Sequence, residues 1–587
     1  YRGQRTFQSP EYELLYPGKE QIHTGRSVPV YPLTEGINAR NMRRITKQAI
    51  DDWLGGLVDP IPTEILARQK LPDLHHAVNQ AHYPDNAKSW SDSRRRLAFD
   101  ELLVLQLAVL QRRKHRNLTM TGVSLKIDKI LVNQFIASLP FPLTNAQTRC
   151  VLEILENLET GTPPMNRLLQ GDVGSGKTVV VLIALLVAIS AGYQGALMVP
   201  TEVLAEQHFQ TIANLLGGGL DSTDANIVTP HPQSLSKPIS VGLLTGSTGV
   251  RDRREITSRS SDGTLDLLIG THALIQSGID LPNLALAVMD EQHRFGVMQR
   301  SELRQQGIEN PHSLVLSATP IPRTLSLTLY GDLDISTLDE LPPGRQPIPT
   351  KLLGADGREV AYGFLRRQIE EGRQAFIICP LINESESIDA KAAIDEFERL
   401  SSDIYPDLSL ALLHGRMSSK EKDRVMRVFR NGEVDILVST SVVEVGIDVP
   451  NASVMMIEGA DRFGLSQLHQ FRGRVGRGQH KSYCLLLSDD PSELALERLR
   501  KLEQFNDGFQ LAEADLELRG PGDFFGTRQS GLPNLRMAHF SDRDLLSSAR
   551  EEAHMLLETD PGLSQEVHKN LAERVSTFLD QASTEFS

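Results

Sequence analysis

Cysteine is nearly absent: Cys150, Cys379 and Cys484 are the only three in 587 residues. None belongs to a CxxC pair, which excludes a disulfide framework and a cysteine-based zinc site and suits a reducing, cytoplasmic setting. The 16 histidines are scattered without HxxxH spacing, so no helical metal site is expected. Long apolar runs are missing too; the longest, 178–189, is too short to cross a bilayer, so no membrane partner is expected. Residues 1–10 are polar and lack the basic-then-apolar order of a secretory signal. Positive charge is also in short supply: 61 Lys+Arg face 75 Asp+Glu, a net −14 at pH 7. Taken alone, that balance argues against nucleic acid, whose binders usually carry a basic footprint.

What is there describes a globular chain, 40 % hydrophobic and 23 % charged. At roughly 150 residues per domain the length accommodates about four. The first residue is Tyr1 rather than Met, so a fragment or processed chain is expected, and proline-punctuated residues 1–33 look like the end of a β domain. Residues 34–130 turn helical. Within them Arg94–Arg116 holds seven basic and two acidic residues around Leu97, Leu102, Leu103, Leu105, Leu107 and Leu110. That run reads either as a solvated helix packed on a neighbour or as a spacer whose basic ends meet phosphates.

After Leu143 short apolar runs alternate with helical stretches. Arg167–Gln170, Gly195–Val199, Leu265–Ile269, Leu284–Met289 and Ser313–Leu316 form one set of predicted strands. Ala375–Cys379, Ala411–Leu413, Asp435–Ser439, Val454–Ile457 and Tyr483–Leu487 form a second, beyond the Leu-Pro-Pro-Gly-Arg segment at 341–345. Continuous apolar runs flanked by helices predict parallel strands buried on both faces. The fold class expected is therefore α/β, with two tandem domains at 131–345 and 346–505 and a helical region at 506–587. The segment 217–238, rich in Gly, Ser, Thr, Asp and Pro, is expected to be a long exposed loop. Residues 541–587 carry ten acidic and four basic side chains.

Four constellations carry chemistry. Gly171-Asp172-Val173-Gly174-Ser175-Gly176-Lys177-Thr178 matches GxxxxGK[ST] between a predicted strand and a predicted helix. Such a loop cradles phosphates with backbone N–H groups; Lys177 would reach the β- and γ-phosphates and Thr178 would hold Mg²⁺. Asp290 and Glu291 end the strand 284–289, where open sheets place ligands. Asp290 would bind Mg²⁺ through water, and Glu291 would activate the attacking water. Ser317, Ala318 and Thr319 end the next strand, where small hydroxyl residues can relay hydrogen bonds. Arg472, Arg474 and Arg477 crowd Gln470–Arg477; an arginine finger is worth on the order of 10³–10⁵ in rate.

In this order, the four resemble the helicase core of superfamily 2. The resemblance implies two RecA-like domains closing on ATP, with nucleic acid running across both. It makes Phe141, Leu143, Thr144 and Gln147 an adenine-reading motif. It assigns Pro200, Thr201, Thr271 and His272 to strand contact, and Ser317 and Thr319 to coupling. Thr440, Glu444, Gly446 and Asp448 fall in its fifth motif, with Gly446 and Asp448 at the nucleotide, and Arg474 and Arg477 take the finger positions.

The segment 508–531, GFQLAEADLELRGPGDFFGTRQSG, closely resembles the translocation motif shared by the RecG family and the transcription-repair coupling factors. It implies that Arg519, Arg528 and Gln529 transmit hydrolysis to motion on duplex DNA. GDVGSGKT and DEQH resemble RecG rather than coupling factors, residues 28–36 resemble the end of its wedge domain (OB-like), and Arg94–Leu103 its helix entering the core. The resemblance departs at the wedge, most of which is missing, and at 217–238. It implies an ATP- and Mg²⁺-dependent motor that regresses forks and migrates Holliday junctions, with D-loops and R-loops as further substrates. It also implies a nucleoid-associated cytoplasmic monomer, with single-strand DNA-binding protein as a partner. A coupling-type translocase, an RNA helicase and a passive branched-DNA clamp are the rival readings.

Overall fold

The computed structural model describes residues 22–217, 226–232, 235, 237–276, 278–290, 307, 310–317, 333–380, 386–441, 449–478, 480–519, 535–539 and 542–585. They fall into two compact units. One gathers the described residues up to 115 and those from 535 onward; the other holds 116–317 and 333–519.

The larger unit contains two sheets. Among the described residues the first has eight strands: β1 Asn166–Gly171, β2 Gln194–Met198, β3 Ile227–Val228, β4 Val241–Leu244, β5 Leu267–Gly270, β6 Leu284–Met289, β7 His312–Ser317 and β8 Asp334–Leu338. Their order is β3-β4-β5-β2-β6-β7-β1-β8, and every pair is parallel except β3–β4. The second sheet has β9 Thr350–Leu353, β10 Gln374–Ile378, β11 Leu410–Leu413, β12 Ile436–Ser439, β13 Ala452–Ile457 and β14 Tyr483–Leu487. Its order is β11-β12-β10-β13-β14-β9, parallel throughout. These are the expected α/β domains, with β4 and the edges β3, β8 and β9 added.

Burial explains the strands. All six residues of β1, β6, β7 and β13 are buried, as sheets covered on both faces require. The helix Lys177–Ser190 is apolar on every side and buried from Val179 to Ala188, so it forms the centre of the first domain's core. The 217–238 segment is not wholly a loop. Its β-branched pair Ile227–Val228 adds an antiparallel edge to β4, because β4 would otherwise leave its ladder open.

The smaller unit is helical among its described residues: Ala39–Trp53, Thr63–Gln69, Leu74–His82, most of Ala87–Thr119, Arg543–Thr559 and Lys569–Glu585. Its core joins Phe99, Leu102, Leu103 and Leu107 to Leu546, Ala549, Ala553 and Leu571. The basic start of Ala87–Thr119 is occupied by this unit's own carboxylates. Arg94 pairs with Asp542 at 3.0 Å; Arg96, fully buried, pairs with Asp59 at 2.6 Å and also with Asp100. Arg94 and Arg96 thus fit the packed reading of that helix, while Arg95 is exposed and donates to the Gln69 carbonyl. No helix among the described residues is long and apolar enough to cross a membrane. All three cysteines are free and buried, and burial pushes the Cys150 and Cys484 thiols up to about 12.

Candidate nucleotide site and its link to the C-terminal helices

The carboxyl ends of parallel strands share one edge of a sheet. In the first domain that edge carries the phosphate loop after β1, Ser317 at the end of β7 and Asp290 after β6, on three adjacent strands. Thr201 and Thr271 follow β2 and β5 on the same edge. Topology alone thus gathers the motif residues where open α/β sheets bind ligands.

The loop is shaped by Gly174 and Gly176, whose φ angles of 75° and 83° lie in the left-handed region open to glycine. Lys177 donates to the carbonyls of Gly171 (2.7 Å) and Asp172 (2.9 Å), so its ammonium is held inside the loop. Thr144 caps the helix Asn145–Thr160 in a box with Gln147. Gln147 Oε1 accepts from the Thr144 N–H at 2.9 Å, which frees its Nε2 to donate to the Ser175 carbonyl at 3.0 Å. Phe141 precedes them, 42 % exposed. Thr201 Oγ1 accepts from the Leu204 N–H and caps the helix Glu202–Leu215; Pro200 stands before it. Thr271 is buried and His272 exposed.

Asp290 is buried, and its carboxylate lies 3.3 Å from Nε2 of His208 on the helix Glu202–Leu215. With the Thr178 hydroxyl it offers the hard oxygen donors that Mg²⁺ favours beside substrate phosphates. Ser175 Oγ is buried without a hydrogen-bond partner among the described residues, a polar atom that suits a loop shaped for a charged ligand.

The second domain meets this loop directly. A Cβ on Gly473 would stand 2.8 Å from Val173 Cβ, so only glycine lets the end of the helix Leu465–Arg472 approach so closely. Arg474 follows, buried; Arg477 Nε donates to the Gly473 carbonyl at 3.3 Å. Thr440 is buried, its N–H donating to the Leu413 carbonyl at 3.2 Å. Glu291, Thr319, Glu444, Gly446, Asp448, Arg528 and Gln529 lie outside the described residues, and Arg519 is the last residue of the helix Gly508–Arg519.

Asp172 ties the phosphate loop to the second domain. His469 Nε2 donates to its Oδ1 at 2.6 Å, as does the Val173 N–H, and the Gly508 N–H donates to Oδ2 at 3.2 Å. Burial would raise this carboxyl, but these donors outweigh it and hold it below the usual carboxylate range. His469 Nδ1 receives Arg472 Nη2 at 2.8 Å. A guanidinium only donates, so His469 carries its proton on Nε2. Arg472 also donates to the carbonyls of Leu502 and Phe505 (2.8 Å each) and Asn506 (3.1 Å).

Three family models match the chain: DEAD/DEAH box helicase over 144–328, helicase conserved C-terminal domain over 359–479, and "ATP-dependent DNA helicase RecG, domain 3, C-terminal" over 505–581. The Bacillus subtilis ATP-dependent DNA helicase RecG is 46 % identical over 533 residues, 91 % of this chain and 75 % of that protein. The chain belongs to the RecG family. The Synechocystis RecG is 49 % identical over 570 residues, 96 % of this chain and 66 % of its own length. A solved structure of RecG bound to a three-way DNA junction is 42 % identical, with a TM-score of 0.71, and is matched over 90 % of this chain and 66 % of that one. The chain thus spans just under two thirds of these two relatives.

As a RecG chain it holds residues that the motif reading missed. His469 and Arg472 sit three apart on one helix face, a signal available in the sequence. Arg345, in the segment between the domains, donates to the Val173 carbonyl and covers Gly174; no motif marks it.

Proposed function

We propose that this chain is the motor part of an ATP-driven translocase on branched DNA, one that regresses stalled forks and migrates Holliday junctions, with D-loops and R-loops as further substrates. The observation that carries this reading is the fit of the phosphate loop to the Gly473–Arg474 segment of the second domain, in a chain akin to a RecG seen on a three-way junction. Lys177 leaves the carbonyls of Gly171 and Asp172 for the β- and γ-phosphates. Thr178, and Asp290 through water, would hold Mg²⁺, which would supply charge neutralisation at the phosphates. Glu291 orients and deprotonates the attacking water. Arg474 and Arg477 stabilise charge on the transferred phosphoryl group once the domains close. Phe141 and Gln147 read the adenine side, with Gly446 and Asp448 of the second domain at the nucleotide. Pro200, Thr201, Thr271, His272 and Thr440 line the nucleic-acid track, with Ser317 and Thr319 behind them. Arg519, Arg528 and Gln529 pass closure to the duplex. The domain limits 1–33, 34–130, 131–345, 346–505 and 506–587 belong to the same reading, as do monomeric action, a cytoplasmic site on the nucleoid, and single-strand DNA-binding protein as a partner.

ATP turnover measured with a three-way junction, linear duplex DNA and duplex RNA tests it. The junction is expected to stimulate most. Equal stimulation by linear duplex, or stronger stimulation by RNA, overturns the reading.

A further inference from the structure

Asp172 stands between two things that must be coordinated. Its carbonyl accepts from Lys177, and its carboxylate accepts from the first N–H of the helix Gly508–Arg519. A carboxylate there satisfies an orphan donor and complements the positive helix end. Behind it the donors run in one direction, from Arg472 to His469 to Asp172. The residues Asp172, His469 and Arg472 are 9, 6 and 2 % exposed respectively, so a lost partner is poorly replaced by water. Arg472 anchors the other end, holding the last turn of Glu493–Gln504 and the residues that lead into Gly508. A phosphate that draws Lys177 away from the Asp172 carbonyl therefore acts on a residue whose side chain caps the next helix.

We propose that Asp172, His469 and Arg472 form a buried relay that passes the position of the phosphate loop to the first turn of Gly508–Arg519, and that His469 is a positioning residue for translocation. The proposal rests on the functional reading above and names the connection within it. Substitution at His469 separates a relay from inert packing. His469→Gln keeps one donor and one acceptor; His469→Leu keeps the bulk and removes both. In the full-length protein on a three-way junction, His469→Leu is expected to unwind about tenfold less DNA per ATP hydrolysed, the scale of one buried coupled pair. His469→Gln is expected to stay close to the wild-type ratio. Hydrogen exchange at the amides of 508–511, with and without a non-hydrolysable ATP analogue, reads the relay independently of DNA. The analogue should change exchange in the wild type and His469→Gln but not in His469→Leu. A wild-type ratio in His469→Leu, or the same exchange response in all three proteins, overturns the relay. If the junction fails to stimulate ATP turnover, the functional reading falls, and the exchange experiment still decides the relay.

Discussion

Gly176→Ala is expected to weaken ATP binding by a calculable amount. Gly176 has φ 83°, and a Cβ there would stand 2.2 Å from Gln147 Nε2. The left-handed conformation costs a residue with Cβ about 1–2 kcal/mol. The clash drives Gln147 from the Ser175 carbonyl, and an abandoned buried acceptor costs about 1–3 kcal/mol more. Both costs fall on the binding-competent shape of the loop, so about 2–5 kcal/mol appears as lost affinity. At about 1.4 kcal/mol per decade, that is roughly 30-fold to several-thousand-fold. Equilibrium titration with a fluorescent ATP analogue measures it. Gly192→Ala is the control: its φ is 88°, but nothing lies within 4 Å of its Cβ. It should lower stability by about 1–2 kcal/mol and leave ATP affinity alone. If Gly176→Ala binds within threefold of wild type, or both variants weaken binding equally, the geometric argument is wrong.

Lys177→Ala should retain junction binding in a gel-shift assay and lose ATP hydrolysis, because among the described residues Lys177 is the amine held inside the loop; DNA-stimulated turnover at the wild-type rate would refute it. Arg96→Met leaves the buried Asp100 with Arg574, 3.7 Å away, as its counter-charge, so chemical denaturation should show a loss of about 1–3 kcal/mol, with the salt dependence of DNA affinity unchanged. Asp560 is buried, which would raise its carboxyl, yet it accepts from the Gln565 and Ser564 N–H groups and from His568 and is held well below the usual range. Its stabilisation is complete above the unfolded value near about 4 and fades as pH falls through the depressed one. Thermal unfolding of Asp560→Asn should therefore vary less between pH 5 and pH 2 than that of the wild type; an identical pH dependence would contradict this.

The fold was legible where strands are central. Leu284–Met289 and Tyr483–Leu487 match the sequence-derived limits residue for residue, because buried strands read as unbroken apolar runs. The strands that escaped are β3, β8 and β9 at sheet edges, where the half-exposed Asp334 and Thr337 and the buried but polar Ser336 interrupt the apolar pattern, and β4, four residues long around Gly242. The phosphate loop was legible because its parts are contiguous. Asp172 looked like a loop residue facing nucleotide, and nothing local shows that its partners lie 297 and 336 residues away. The basic run at Arg94–Arg96 left two readings open for the same reason, since the counter-charge Asp542 of Arg94 is 448 residues downstream.

The smaller unit has a consequence for the order of synthesis. Glu101 accepts from the backbone N–H groups of Arg536, Met537 and Ala538, a partner segment 435 residues later in the chain. A ribosome adding about 5–20 residues per second needs roughly 20–90 s to cover that distance. Throughout that interval the apolar face of Phe99, Leu102 and Leu103 exists without the helices that close it. The larger unit is complete, with both sheets formed, before the smaller one can close. A nascent chain stopped before residue 542 therefore presents a finished two-sheet unit and an open hydrophobic surface, which is where chaperone capture and proteolysis of this protein should concentrate.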